Sequence, residues 1–182
     1  NPWFLDIDHL IEEGFIFISN LEELGPTNQN NNYFDFDAAT NLTKKLGHLL
    51  LRGWSSQSEE RKLKFNEWIR KNSWVEDYAK FVVIREEFNM LPWWQWPKEF
   101  KIKNSEFLKS WINTKSEKIL MEKLIQWHLD EQWSAIKNFA KLYNVNLIGD
   151  LPFYVSRDSA DVWSNKSLFS ILKNGDLIFQ SG

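Results

Sequence analysis

The sequence predicts an α/β fold that is mostly helix and turns to strand only near its end. Three observations predict it. Apolar residues recur at helix spacing through most of the stretch from about Asp37 to Tyr143. Val145-Asn146-Leu147-Ile148 then reads as a short buried strand, reached from a long helix across Asn144, a good helix-ending residue. Finally, Asn174-Gly175 lies between Ile171-Leu172 and Leu177-Ile178-Phe179, which predicts a hairpin with a type I′ turn.

The elements follow in order. Asn1 to Gly14 is an opening segment and a short helix, with Leu5, Leu10 and Ile11 on one side and Gly14 as its stop. Gly25 to Asn32 is a polar linker. From about Asp37 to Trp54, Ala38, Leu42, Leu46, Leu49 and Leu50 recur as one helix face, and Ser55 to Glu59 breaks it. A second helix over about Glu60 to Lys71 offers Leu63, Trp68 and Ile69 to a core. Ser73 with Glu76 forms a capping-box signature ahead of Tyr78, Phe81, Val82 and Arg85, and that helix ends near Asn89. Pro92-Trp93-Trp94-Gln95-Trp96-Pro97 is an aromatic loop pinned by two prolines. A short helix over about Ser105 to Ile112 precedes a long one over about Ser116 to Tyr143, whose buried side is read as Ile119, Leu124, Trp127, Trp133, Ile136 and Ala140.

Composition narrows the function classes. The 182 residues are 43% hydrophobic and 26% charged, a globular balance. Eleven Trp, 14 Phe and four Tyr bring aromatics to 16%, more than a core of this size needs. A net charge of −3 leaves no electrostatic footprint for nucleic acid or an anionic membrane, which argues against strand binding through aromatics. The absence of cysteine excludes disulfides, thiolate zinc sites and a cysteine nucleophile. There is no apolar run long enough to span a bilayer, and no secretory signal opens the chain. Opening on Asn1 rather than Met, the chain is expected to be a fragment or a trimmed piece.

Chemistry concentrates in three places. Asp150 follows the expected strand, flanked by Gly149 and Pro152; a carboxylate at the C-terminal end of a parallel strand points to the usual active-site face of a barrel or open sheet. The competing role, a cap on the next turn, is the commoner one for such an Asp taken alone. Ser156-Arg157-Asp158-Ser159-Ala160-Asp161-Val162-Trp163 gathers two carboxylates, a cation and an indole. Trp can lie flat on a pyranose ring while Asp and Arg bind its hydroxyls. The alternative is a helix start with Asp158 or Ser159 as its cap. Trp93, Trp94 and Trp96 cannot all face one core from a regular element, so at least one is expected to be exposed or in a groove, either stacking on sugar or packing on helices. His9, His48 and His128 are not spaced as metal ligands, and Asp6 with Asp8 lacks the rest of a calcium loop.

Ile148-Gly149-Asp150-Leu151-Pro152-Phe153-Tyr154-Val155 followed by Asp158-Ser159-Ala160-Asp161-Val162-Trp163 resembles the amylomaltase, or 4-α-glucanotransferase, family. The opening Asn1-Pro2 with Leu5-Asp6-Ile7-Asp8 and Glu12-Glu13-Gly14, the helix Trp74-Val75-Glu76-Asp77-Tyr78-Ala79-Lys80-Phe81, and Trp94-Gln95-Trp96-Pro97 with Gln126-Trp127 to Gln132-Trp133 are similar to it as well. A (β/α)₈ barrel takes about 250 residues, and the resemblance covers about a third of the family's length. It therefore implies a partial (β/α)₈ TIM barrel around strand three with a large, mainly helical insertion. Residues 1–22 would follow strand two, 23–115 would form the insertion, and 116–182 would hold a barrel helix, strand three and the following loop and hairpin.

The resemblance further implies a retaining transfer of α-1,4-glucan segments between maltooligosaccharides, in a cytoplasmic enzyme with no cofactor and no metal. Retention needs a nucleophilic carboxylate and an acid/base carboxyl about 5–5.5 Å apart. The Arg-x-Asp-His, Glu-Asp-Leu-Gly and Asn-Thr-His-Asp segments that carry the family's catalytic residues do not occur here, so the chain is expected to hold no nucleophile and no acid/base. Asp150 would support the donor sugar, and Asp158, Asp161 and Trp163 would shape the sugar cleft. Arg157 is not carried over, because that position varies in the pattern. A non-catalytic carbohydrate-binding helical module is the other reading of the same aromatic excess.

Overall fold

The computed structural model describes residues 1–25, 33–103, 105–151, 153–172 and 174–179. Among the described residues the regular structure is helical: α1 (Ile7–Glu12), α2 (Leu21–Leu24), α3 (Phe36–Trp54), α4 (Glu59–Lys71), α5 (Trp74–Glu87), α6 (Lys98–Lys101), α7 (Glu106–Thr114), α8 (Ser116–Leu142) and α9 (Ala160–Ser164). Single 3₁₀ turns cover Pro2–Phe4, Ile18–Asn20, Trp93–Gln95 and Lys166–Leu168. The helices gather into two compact units, each built from two stretches of chain: Asn1–Lys71 with Leu120–Ile148, and Asn72–Ile119 with Gly149–Gly182. The linker expected over Gly25 to Asn32 lies, beyond Gly25, outside the described residues.

In the first unit, α3 and α8 bury their apolar faces together with α1 and α4. Leu10, Phe15, Ile16, Leu46, Leu49, Leu50, Phe65, Leu124, Ile125 and Trp127 form its core. Burying Leu, Ile and Phe side chains of this kind contributes about 1.5–3 kcal/mol each before entropy is counted. Phe65 stacks edge-on to Trp54 at 4.8 Å and lies 5.2 Å from Trp127. Leu63, expected in the core, is 64% exposed; the buried position of α4 falls on Phe65 instead. The local signals that held were caps. Gly14 takes φ +74° after α1, and Asn144 takes φ +57° after α8. Val145 N–H donates to Ala140 C=O at 2.9 Å, closing α8 as a Schellman-type turn. Gly53 is required by packing, because a Cβ there would stand 2.2 Å from the Phe15 carbonyl oxygen.

The opening segment is held by one side chain. Gln132, on α8, accepts from Asp6 N–H at 2.9 Å and donates to Asp6 C=O at 3.0 Å. The Asp6 carboxylate in turn caps α1, accepting from Asp8 N–H at 3.0 Å. Asp6 is thus a helix cap.

In the second unit, Phe81, Ile84, Trp93, Trp96, Phe100, Leu108, Val162 and Trp163 form the core, with Ala79, Val83 and Ile119 in a smaller cluster. Ser73 sits at the start of α5 as expected, but its side chain makes no capping bond. Ser105 does cap α7, accepting from Leu108 N–H at 3.1 Å.

Two expectations are corrected. No strand forms over Val145–Ile148, and Ile148 is 96% exposed. A buried parallel strand exists only through its ladder to neighbouring strands, and no strand stands beside it among the described residues. For the same reason the expected partial barrel is not seen as a sheet. The face of α8 read as continuous is also interrupted. Ile119, Leu124 and Trp127 are buried with Met121 and Ile125, whereas Trp133 and Ile136 are 48% and 52% exposed.

His128 is fully buried beside Phe15, with ring centroids 4.3 Å apart, and its Nδ1 lies 3.5 Å from Glu131 Oε2. Burial holds the imidazole below its usual titration range, against the opposing pull of Glu131; Arg61 and His9 add to the lowering. Above pH about 6.5 both the folded and unfolded chains carry it neutral. Below that value the unfolded chain binds the proton more readily, so stability falls with pH. The denaturation midpoint should drop between pH 7 and pH 5.5, and His128→Phe should flatten that drop. An equal slope in wild type and variant would remove His128 as the cause.

Candidate functional site

The segment 157–163 folds as a strap across the indole loop. Ser159 caps α9, accepting from Val162 N–H at 3.3 Å, and this turn drives Val162 and Trp163 inward. Trp163 is 1% exposed, lies 6.1 Å from both Phe81 and Trp96, and donates its indole N–H to Phe100 C=O at 2.9 Å. An indole with both faces covered and its N–H bonded offers no platform to a sugar, so Trp163 is corrected from cleft wall to core residue.

Asp158 is occupied too. Its carboxylate accepts from Trp93 N–H at 3.2 Å and pairs with the Arg85 guanidinium at 2.9 Å. One residue earlier, Arg157 C=O accepts the Trp93 indole N–H at 2.7 Å. The Arg157 guanidinium stacks on Trp94 with its carbon 3.9 Å from the ring centroid. It also donates to Gly175 C=O at 2.8 Å and pairs with Asp176 at 3.1 Å. Arg157 and Asp158 thereby hold α5, the indole loop and the 171–177 turn in one network.

The indole loop divides as its composition required. Trp93 and Trp96 are buried, at 0% and 2% exposure, and Trp94 is the half-buried one, under Arg157. Lys166 lies over the Trp93 ring at 4.7 Å and donates to Lys101 C=O. Burial, with the Lys101 charge behind it, holds the Lys166 amine below the usual range.

The turn at 174–175 differs from the type I′ expected. Gly175 has φ +97°, but Asn174 is not left-handed, and Gly175 N–H donates to Leu172 C=O at 2.9 Å. Ile171 pairs with Leu177 across the turn. This is the pattern of a longer hairpin loop with glycine at its left-handed position. A Cβ on Gly175 would stand 2.6 Å from Trp94 Cβ, so the close approach also requires glycine.

The remaining acidic residues stand free of this network. Asp161 is exposed in the first turn of α9, where its charge suits the helix end. Asp150 is exposed and makes no hydrogen bond or ion pair among the described residues; Pro152 beside it lies outside them. Below the strap runs a groove of about 340 Å³ lined by Tyr154, Val155, Arg157, Phe169, Ile171 and Phe179. Among the described residues no three His, Cys, Asp or Glu side chains meet in a way that could hold a metal ion.

The model of the 4-alpha-glucanotransferase family matches residues 1–176. The chain belongs to that family. The 4-alpha-glucanotransferase of Clostridium butyricum is 30% identical over 173 residues, covering 95% of this chain and 35% of its own. That of Synechocystis sp. is 34% identical over 173 residues, covering 94% and 34%. Among solved structures, amylomaltase from Streptococcus agalactiae in complex with acarbose superposes with a TM-score of 0.87 at 25% identity, covering 96% of this chain and 35% of that one. The chain thus spans about a third of the length of the relatives it matches. No helix among the described residues is long and apolar enough to cross a membrane.

The sequence offered Arg157 as a ligand for sugar hydroxyls and Arg85 only as a helix residue; their ties to Trp94, the 171–177 turn and Asp158 run between distant positions and leave no local signal. Trp163→Ala should cost about 3–5 kcal/mol of stability, as for other buried aromatics, read as a lower denaturation midpoint. A loss below about 1 kcal/mol would place the indole outside the core.

Proposed function

We propose that this chain is the portion of a 4-α-glucanotransferase that surrounds the third barrel strand, and that the whole polypeptide transfers α-1,4-glucan segments between maltooligosaccharides by retaining double displacement. In this reading residues 1–22 and 116–182 belong to the barrel and 23–115 to the insertion. The family match over residues 1–176, running through Gly149–Trp163, carries the reading. The exposed apolar row of Trp133, Ile136, Phe139 and Leu142, continued by Val145, Leu147 and Ile148, supports it. Such a row is what a barrel helix and its following strand would present to neighbouring barrel elements.

The roles follow from what each side chain has left to give. Asp150, with its carboxylate free, supports the donor glucose from the mouth of strand three. Asp161 stands at the rim. Asp158 acts indirectly, fixing the wall that the indole loop forms, and Trp163 holds that wall from behind. The nucleophile and the acid/base carboxyl lie in parts of the polypeptide outside this chain. Relatives in this family include plant enzymes named as chloroplastic or amyloplastic, so the family does not fix a cytoplasmic setting, which stays part of the proposal.

The reaction is tested with maltotriose. The 182-residue chain alone should give no disproportionation, since it lacks both reacting carboxylates. The complete polypeptide should give glucose and longer oligosaccharides; hydrolysis alone would replace the transferase with a glucosidase. Asp150→Asn in that polypeptide should lower the transfer rate at least about 10²-fold if its charge organises the site. An unchanged rate would reduce Asp150 to a turn residue.

A further inference from the structure

We infer that Asn174-Gly175 is a self-modification site, an asparagine that deamidates through its own backbone, and that the Arg157–Asp176 clamp is the lock that keeps it unreacted. The inference stands apart from the transferase reading. It starts from the dipeptide. Glycine has no Cβ to shield its amide nitrogen, so that nitrogen can reach the side-chain carbonyl carbon of a preceding asparagine. A bond forms from Gly175 N to Asn174 Cγ, and the Cγ–Nδ2 bond breaks. Nδ2 leaves as ammonia, taking the proton that the Gly175 amide gives up. Water then opens the cyclic imide at either carbonyl. One opening gives aspartate at this position; the other gives iso-aspartate, in which the main chain runs through Cβ and Cγ. Water is the only co-reactant.

The folded turn holds each of these groups away from the reaction. Gly175 N–H donates to Leu172 C=O at 2.9 Å, which retains the proton that attack must remove. Asp176 fixes the Asn174 carboxamide at both ends. Nδ2 donates to its carboxylate at 2.7 Å, and Oδ1 accepts its backbone N–H at 3.1 Å. Swinging Cγ onto the Gly175 nitrogen breaks this grip. Asp176 is itself held by Arg157 at 3.1 Å, and the same guanidinium donates to Gly175 C=O at 2.8 Å while stacked on Trp94. A Cβ on Gly175 would stand 2.6 Å from Trp94 Cβ, so the turn is pressed against that side chain and cannot pivot toward it. Deamidation therefore proceeds from the opened turn, and its rate reports how often the clamp lets go. The product does not restore the lock. Its carboxylate faces that of Asp176 where an amide donor stood 2.7 Å away, which sets like charges in contact. Iso-aspartate also lengthens the main chain at the close approach to Trp94.

The test is a time course on the intact chain at mildly alkaline pH. Peptide mass spectrometry reads residue 174, and methyltransferase labelling counts iso-aspartate. Chain unfolded in urea supplies the unlocked rate, a comparison that needs no variant. Folded wild type should deamidate at least about tenfold more slowly than unfolded chain. Arg157→Met should lose most of that protection with its helical circular dichroism intact. Asp176→Asn removes the carboxylate, keeps the backbone donor, and should behave in the same way. Equal rates in folded and unfolded wild type would overturn the lock, as would full protection in either folded variant. An unfolded chain that keeps Asn174 intact would overturn the site itself.

Discussion

The second unit hangs on the Arg157-Asp158 dipeptide. Asp158 reaches back to Arg85 on α5 and to the backbone of Trp93. Arg157 grips Trp93 through its carbonyl, Trp94 through its face, and the 171–177 turn through its guanidinium. Two adjacent residues thus tie together α5, the indole loop and the 171–177 turn. Charge-assisted bonds of this kind are worth about 1.5–3 kcal/mol when shielded. They also orient the indole loop, which no regular element could do. With that loop set, Trp93, Trp96 and Trp163 close the core, and Gly175 can press against Trp94. Without the dipeptide's contacts the loop would keep its local bonds, such as Trp96 indole N–H to Leu91 C=O at 2.8 Å, but lose its ties to α5 and to the 171–177 turn.

Helices were legible because their signals are local. Gly14, Ser105 and Asn144 end or start elements within a few positions of their neighbours, and each can be read without a distant partner. Leu63 and Phe65 show the limit. Both are apolar on α4, and only the position of Trp54 and Trp127 decides which is buried. The 145–148 strand fails for the same reason on a larger scale. Its composition is that of a buried strand, but a strand is a relation between segments, and the pattern carries no information about whether the partner is present.

The candidate site divides along the same line. The run 157–163 was visible as a cluster of sugar-compatible residue types, and its helix cap was correctly weighed as the alternative. Ser159 takes that role. What residue type could not convey was occupancy. Asp158 and Trp163 have the right chemistry for a glucose ring, yet their groups are consumed by Arg85, Trp93 and Phe100. A functional group is available to a ligand only after the fold has finished with it. Long-range hydrogen bonds decide that, and no spacing rule anticipates them.

The acidic residues of this segment differ in what the fold leaves them. Asp158 is tied down, at 2.9 Å from Arg85. Its pairing makes it an anchor for the indole loop. Asp150 is exposed and has no such partner among the described residues. That difference is what the proposed function draws on when it gives the paired carboxylate to the wall and the unpaired one to the sugar.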